Sequence, residues 1–151
     1  MNSGRPIQVK LNWLGANDGI LHADGKPCVD VEPPKEFGGQ GKAWNPGELL
    51  LGALAACFMQ NFLDLASARK LKIESYDSVA DGTLIQSENG VIWRGLAVEI
   101  KLDVPDEDAE AVAELLEKAR ERCAIGNMIW PSFRIKGIIN SKPAAVSMVG
   151  S

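Results

Sequence analysis

Hydrophobic and polar positions along the chain change period several times, and each change marks a new element. Residues 8–14 alternate in part, with Val9, Leu11 and Trp13 on one side, which predicts a strand. Asn17-Asp18-Gly19 and Asp24-Gly25 are turn signals. Ile20-Leu21 and Cys28 to Val31 are therefore expected as short strands between and after them. The Pro- and Gly-rich stretch EPPKEFGGQGKAW has no period. It is expected to be irregular, acting as a lid or a dimer contact.

A helix is predicted from Asn45 to about Leu71. Asn45 is a good N-cap, Pro46 suits the first helical position, and Glu48 can reach back to the cap amide. Leu49, Leu50, Leu51, Leu54, Phe58, Met59 and Phe62 make its middle apolar nearly all round, which predicts a central, buried helix. Alanines at 53, 55 and 56 would let another backbone come close. Tyr76 to Ser87 then reads as a strand that turns at Glu88-Asn89-Gly90. The return strand places Leu96, Val98, Ile100, Leu102 and Val104 on one face, and Pro105 ends it. Asp106 to Arg122 predicts an amphipathic helix with Val112, Leu115, Leu116 and Ala119 inward, acidic at its start and basic at its end. Phe133 to Asn140 is a last expected strand, and the tail after Lys142 is expected to be loose.

This order predicts an α+β fold, with antiparallel sheets around a central buried helix, in a single domain over residues 1–151. An all-round apolar helix in so small a chain needs more cover than one thin sheet gives. An intimate homodimer is expected on that ground.

Composition narrows the function. The net charge is −4, with no basic cluster, which argues against a nucleic-acid surface. The opening MNSGRPIQVKLNW lacks an apolar signal region, so no secretory signal is expected. Gly52, Gln60, Asn61 and Asp64 interrupt Leu49 to Leu65, so no membrane span is expected either, and a cytoplasmic protein is anticipated. The three cysteines are Cys28, Cys57 and Cys123, an odd number for a disulfide scaffold and without zinc-type spacing. No metal and no cofactor are expected. In a reducing compartment each cysteine is either a buried small hydrophobe or a reactive thiol. For Cys28 the buried hydrophobe is the default, and for His22, the only histidine, a plain surface role. Trp44, Phe58, Trp130 and Phe133 flank the other two cysteines, as core residues or as the lining of an apolar pocket.

The segment NPGELLLGALAACF resembles the stretch of the OsmC/Ohr family (osmotically inducible protein C-like, organic hydroperoxide resistance-like) in which a helix opens with Asn-Pro and carries Ala-Ala-Cys-Phe about three turns on. RCAIGNMI resembles the family's second motif, commonly Cys-Pro-hydrophobic-Ser-Asn, and EFGGQG its glycine-rich approach. The element order is similar too, and the resemblance covers roughly residues 8–140. It implies an OsmC-like fold in an intertwined homodimer, with sites at the subunit interface. It also implies thiol-dependent reduction of organic hydroperoxides, with Cys57 as the peroxidatic thiol, Cys123 as the resolving thiol, and an external dithiol as reductant.

The sequence departs from the family pattern at two positions. Peroxidase chemistry needs Cys57 as a thiolate, whereas a free thiol has a pKa of roughly 8.5. The family's activating Glu falls here on Gly47 and its Arg near Asn17-Asp18. At about 100° per residue, Glu48 and Cys57 fall on opposite helix faces, and capping accounts for Glu48. Replacement cations are Arg5, His22, Lys26, Lys35, Lys42, Arg120 and Arg122. The alternative reading is an OsmC-fold redox sensor or small-molecule-binding protein without peroxidase turnover. A third is that the cysteines are core residues and the resemblance is one of fold alone.

Overall fold

The computed structural model describes residues 4–129 and 133–144. The chain forms two compact units, Met1–Leu50 and Leu51–Ser151.

The first unit is a three-stranded antiparallel sheet in the order β1 (Lys10–Gly15), β2 (Asp18–His22), β3 (Val29–Val31). All three strands fall where the turn signals predict them. Leu11 pairs with Leu21, and Leu21 with Val29, so one face of the sheet is apolar. The register puts Gly19 on that face, where a Cβ would stand 2.9 Å from the Leu11 side chain. The face is open in the single chain: Leu11 is 62% and Trp13 77% exposed.

The loop after β3 is more ordered than its composition suggests. It contains one 3₁₀ turn, Lys35–Phe37, and Val31 bridges to Trp44 at its far end. Its organiser is Glu32, the one buried charged residue among the described residues. The Glu32 carboxylate accepts backbone N–H bonds from Gln40 (3.0 Å), Lys42 (2.6 Å) and Ala43 (3.0 Å). Those bonds, led by the one from Ala43, hold the carboxyl below the usual glutamate range.

The long helix α1 (Pro46–Ala68) opens with the predicted capping box. The Asn45 amide donates to Glu48 Oε2 (2.9 Å) and the Glu48 amide to Asn45 Oδ1 (3.0 Å). The helix stops three residues before Leu71. Leu71 N–H donates to Ala66 O and Lys70 N–H to Ser67 O, both at 2.9 Å, with Lys70 in the left-handed region (φ 56°). This is a Schellman C-cap built without glycine.

In the second unit, β4 (Ser75–Ser87) and β5 (Gly90–Asp103) form the predicted hairpin. A register shift between Asp81 and Thr83 kinks it, and Gly95 (φ 67°) supplies the left-handed residue that the extra position on β5 needs. After a 3₁₀ turn at Asp106–Asp108 comes α2 (Ala109–Arg122), which buries Val112, Leu115, Leu116 and Ala119 as its pattern requires. The short helix α3 (Ala124–Met128) follows; the sequence pattern did not predict it. The last long strand, β6 (Arg134–Ile139), pairs parallel to β5, and β7 (Lys142–Pro143) pairs antiparallel to β6. The sheet is therefore mixed rather than wholly antiparallel. The cause is topological: a helix between two neighbouring strands brings the chain back to its starting end, so the second strand runs parallel to the first. Asn140 pins the β6–β7 turn to the end of β5. It donates from Nδ2 to Val104 O and accepts the Val104 amide at Oδ1, both at 2.9 Å. The tail expected to be loose lies, from residue 145 on, outside the described residues.

The core belongs to the second unit. It joins Leu54, Phe58, Phe62 and Ala66 of α1 to Leu96, Val98, Ile100 and Leu102 of β5 and to the inner face of α2. Within the single chain the helix is fully buried along one face. Only a stripe at four-residue spacing is fully buried, while Leu50, Leu51, Met59, Leu63 and Leu65 are half-buried and Ala53 and Ala56 exposed. A single helix lying on one sheet can bury only the face it presents. By length and composition alone α1 could cross a bilayer. Its packed phenylalanine stripe makes it a core helix.

Candidate functional site

Two of the three cysteines converge in the second unit. Cys57 sits mid-way along α1, half-buried against the core, beside the fully buried Leu54 and Phe58. Cys123 follows the last turn of α2 and is fully buried. The two thiols are neighbours: Cys57 is among the groups that raise the pKa of Cys123.

Local structure positions each sulfur. Asn61, one turn beyond Cys57 on α1, donates from Nδ2 to Cys57 O (2.9 Å) and lies 3.6 Å from Cys57 Sγ. Cys123 leaves the helical conformation (φ −71°, ψ 100°) and caps α3, its Sγ accepting the Gly126 amide at 3.4 Å. Gly126 is required there because any Cβ would collide with the Phe133 ring. Phe133 in turn stacks edge-on against Phe58, centroids 6.3 Å apart.

The electrostatics of the pair follow from burial. Desolvation pushes the Cys123 thiol up to about 11, the neighbouring Cys57 sulfur adds to the rise, and the Gly126 amide opposes it. At neutral pH Cys123 is therefore a thiol and not a thiolate. Tyr76 of β4 stacks on Phe62 (5.7 Å), and its hydroxyl is buried without a hydrogen-bond partner. Its pKa is raised, first by desolvation. Ser78 is close enough to oppose that rise but lies outside hydrogen-bond geometry, and charge on Cys123 adds to it. The Tyr76 hydroxyl is thus a neutral, buried group in the neighbourhood of Cys123.

The other candidates separate from this pair. Cys28 belongs to the first unit and is exposed, which corrects the expectation of a buried hydrophobe. The reason is its place: it precedes β3 beside the Asp24-Gly25 turn, at the open end of a three-stranded sheet. His22 is not a plain surface residue either, because its Nδ1 lies 3.1 Å from Cys28 Sγ. Phe58 and Phe133 are core residues, Trp44 is half-exposed in the first unit, and Trp130 lies outside the described residues. Arg120 stands over the Phe133 ring at 5.8 Å. Among the described residues no group of His, Cys, Asp and Glu could hold a metal ion. Asn61 was legible as the residue one turn from Cys57. Tyr76 and Glu32 were not, because their roles depend on long-range burial and on loop amides.

An α+β fold with a mixed sheet against a long core helix, and paired thiols, one mid-way along that helix and one just after α2, defines the class of OsmC-like proteins. The family model for the OsmC-like protein matches residues 39–136, and the chain belongs to that family. It is 32% identical over 98 residues to the organic hydroperoxide resistance protein of Xanthomonas axonopodis pv. citri, covering 64% of this chain and 68% of that one. It is 27% identical over 126 residues to the uncharacterized protein YmaD of Bacillus subtilis, covering 80% of this chain and 84% of YmaD. Among solved structures, it is similar to an OsmC-like protein of unknown function from Vibrio cholerae (TM-score 0.77, 16% identity, 90% of this chain and 99% of that one). It is also similar to an organic hydroperoxide resistance protein from Legionella pneumophila (TM-score 0.70, 25% identity, 91% and 98%).

Proposed function

We propose that the protein reduces organic hydroperoxides through a Cys57–Cys123 redox couple, with an external dithiol restoring the thiols. The observation that carries the reading is the convergence of the two cysteines, from two separate helical motifs, on one core, where Cys57 helps to raise the pKa of Cys123. Relatives named organic hydroperoxide resistance proteins support it. In this chemistry the Cys57 thiolate attacks the distal oxygen of the peroxide. The O–O bond breaks, Cys57 becomes a sulfenic acid, and the alkoxide takes a proton and leaves as the alcohol. Cys123 then attacks the Cys57 sulfur, giving up its proton, and water leaves as the disulfide forms. The half-buried Cys57 is the thiol a peroxide reaches, while the buried, protonated Cys123 waits for the sulfenic acid. The test is dithiol-dependent turnover of cumene hydroperoxide. Turnover is expected in the wild type and absent in Cys57→Ser; full turnover in that variant would refute the assignment.

One observation favours the alternative, a redox sensor or a small-molecule-binding protein without turnover. Glu48 is occupied by the Asn45 cap, and Gly47 stands at the position of the family's acid. A single slow oxidation without dithiol-dependent cycling would select it.

We read the whole chain as one OsmC-like domain that works as a homodimer in the cytoplasm, where its thiols are kept reduced. The support for a dimer is apolar surface in each unit: Leu11 and Trp13 on the first sheet, and the half-covered flanks of α1 in the second. A monomeric mass by light scattering at micromolar concentration would contradict it.

A further inference from the structure

Outside the Cys57–Cys123 pair, a further thiol lies beside a base. Cys28 Sγ lies 3.1 Å from His22 Nδ1. The β2–β3 register explains the pairing. Leu21 is opposite Val29, so the next residue out on each strand, His22 and Cys28, face each other across the hairpin. The turn that joins them is closed by the Lys26 amide donating to Ala23 O at 3.1 Å. The thiol is exposed, so a solute can reach it. Lys10 is paired with His22 on one side, and Asp30 is two residues from Cys28 on the other, on the same face of the sheet. Opposite charges thus flank the pair, and no net charge selects the solute.

We propose that Cys28 and His22 form a second thiol site, which exchanges with low-molecular-weight disulfides and carries the resulting mixed disulfide. The proximity of a nucleophile and a base within hydrogen-bond reach is the arrangement that activates a side-chain thiol. In the exchange, the Cys28 S–H proton passes to His22 Nδ1 while Cys28 Sγ attacks one sulfur of the disulfide. The solute's S–S bond breaks, a new S–S bond joins its near half to Cys28, and the electron pair leaves on the far sulfur. That thiolate takes the proton from the imidazolium and departs as the free thiol. The solute's disulfide is itself the oxidant, so the step needs no other. Residues 1–50 contain no second cysteine, and an external thiol that attacks the mixed disulfide restores the site. The site does not depend on the peroxidase reading, since neither Cys57 nor Cys123 takes part.

The test uses the full chain with oxidised glutathione as the probe and peptide mapping to locate the adduct. Glutathione is expected on Cys28 in the wild type and not in Cys28→Ser. His22→Gln, a change at a strand end, is expected to slow the adduct on the order of tenfold or more, the loss of a positioned base. Added imidazole is expected to restore the rate in His22→Ala, which a merely structural histidine would not allow. An unmodified Cys28 in the wild type would overturn the proposal. So would equal rates in wild type and His22→Gln.

Discussion

The two units hold their shape by different means. The second unit has a hydrophobic core in which the helices α1 and α2 close on β5, and its cysteine pair sits against that core. The first unit buries little beyond Gly19 and Glu32. Its sheet exposes an apolar face, and its loop is held by one carboxylate gathering backbone amides. The difference matters for chemistry. Burial in the second unit keeps Cys123 protonated and out of solvent, whereas exposure in the first leaves Cys28 open to solutes, with a histidine for company. Cysteines of one chain therefore take different chemistry from different surroundings.

Removing apolar volume should separate the two units most sharply. Phe58→Ala is expected to cost about 3–5 kcal/mol in urea unfolding, because a fully buried ring leaves a cavity. Trp13→Ala, at an exposed site, should leave monomer unfolding almost unchanged while weakening self-association. A loss of core-like size from Trp13→Ala in the isolated subunit would erase the contrast.

The Gly126→Ala change probes the same core from the cysteine side. It should destabilise by about 1–3 kcal/mol, through collision of the new methyl with Phe133. It should also disturb the Cys123 cap, seen as slower disulfide formation.

Titration gives opposite signs in the two units. The folded-state pKa of Cys123 is raised to about 11, so its contribution is present below the unfolded thiol value. It is lost as pH rises from about 9 towards 11. Stability measured over that window should fall, and less so in Cys123→Ala. Glu32 is shifted the other way. Its contribution is present above the ordinary glutamate range and is lost as pH drops through its lowered value. Hydrogen exchange at the Gln40, Lys42 and Ala43 amides should therefore quicken in Glu32→Gln, with the second unit unaffected.

The smallest effect is expected at the end of α1. Lys70 occupies a left-handed position that favours glycine. Lys70→Gly is expected to stabilise by about 1 kcal/mol in the same unfolding assay.

Much of this fold was legible from local pattern. The capping box at Asn45–Glu48, the Glu88-Asn89 hairpin, the inward residues of β5 and the inner face of α2 all follow from period and turn chemistry. The features that were not legible depend on partners distant in sequence or on backbone geometry. The Schellman stop at Lys70 lacks its usual glycine. The parallel pairing of β6 depends on where α2 returns the chain. The short helix after Cys123 needs the Cys123 sulfur as its cap. For the site, Cys57 and Cys123 stood out by their resemblance to family motifs, but their mutual proximity is a product of packing. The pairing of Cys28 with His22 could have been suspected only from the hairpin register, since a cysteine beside a turn gives no period of its own.

The most direct measurement is to treat the reduced protein with one equivalent of cumene hydroperoxide, count its free thiols and map the new linkage by mass spectrometry. The account predicts the loss of two thiols within seconds and a Cys57–Cys123 linked peptide, with Cys28 still free and no linkage in Cys57→Ser. No thiol loss over an hour, or a linkage through Cys28 in place of Cys123, would contradict it.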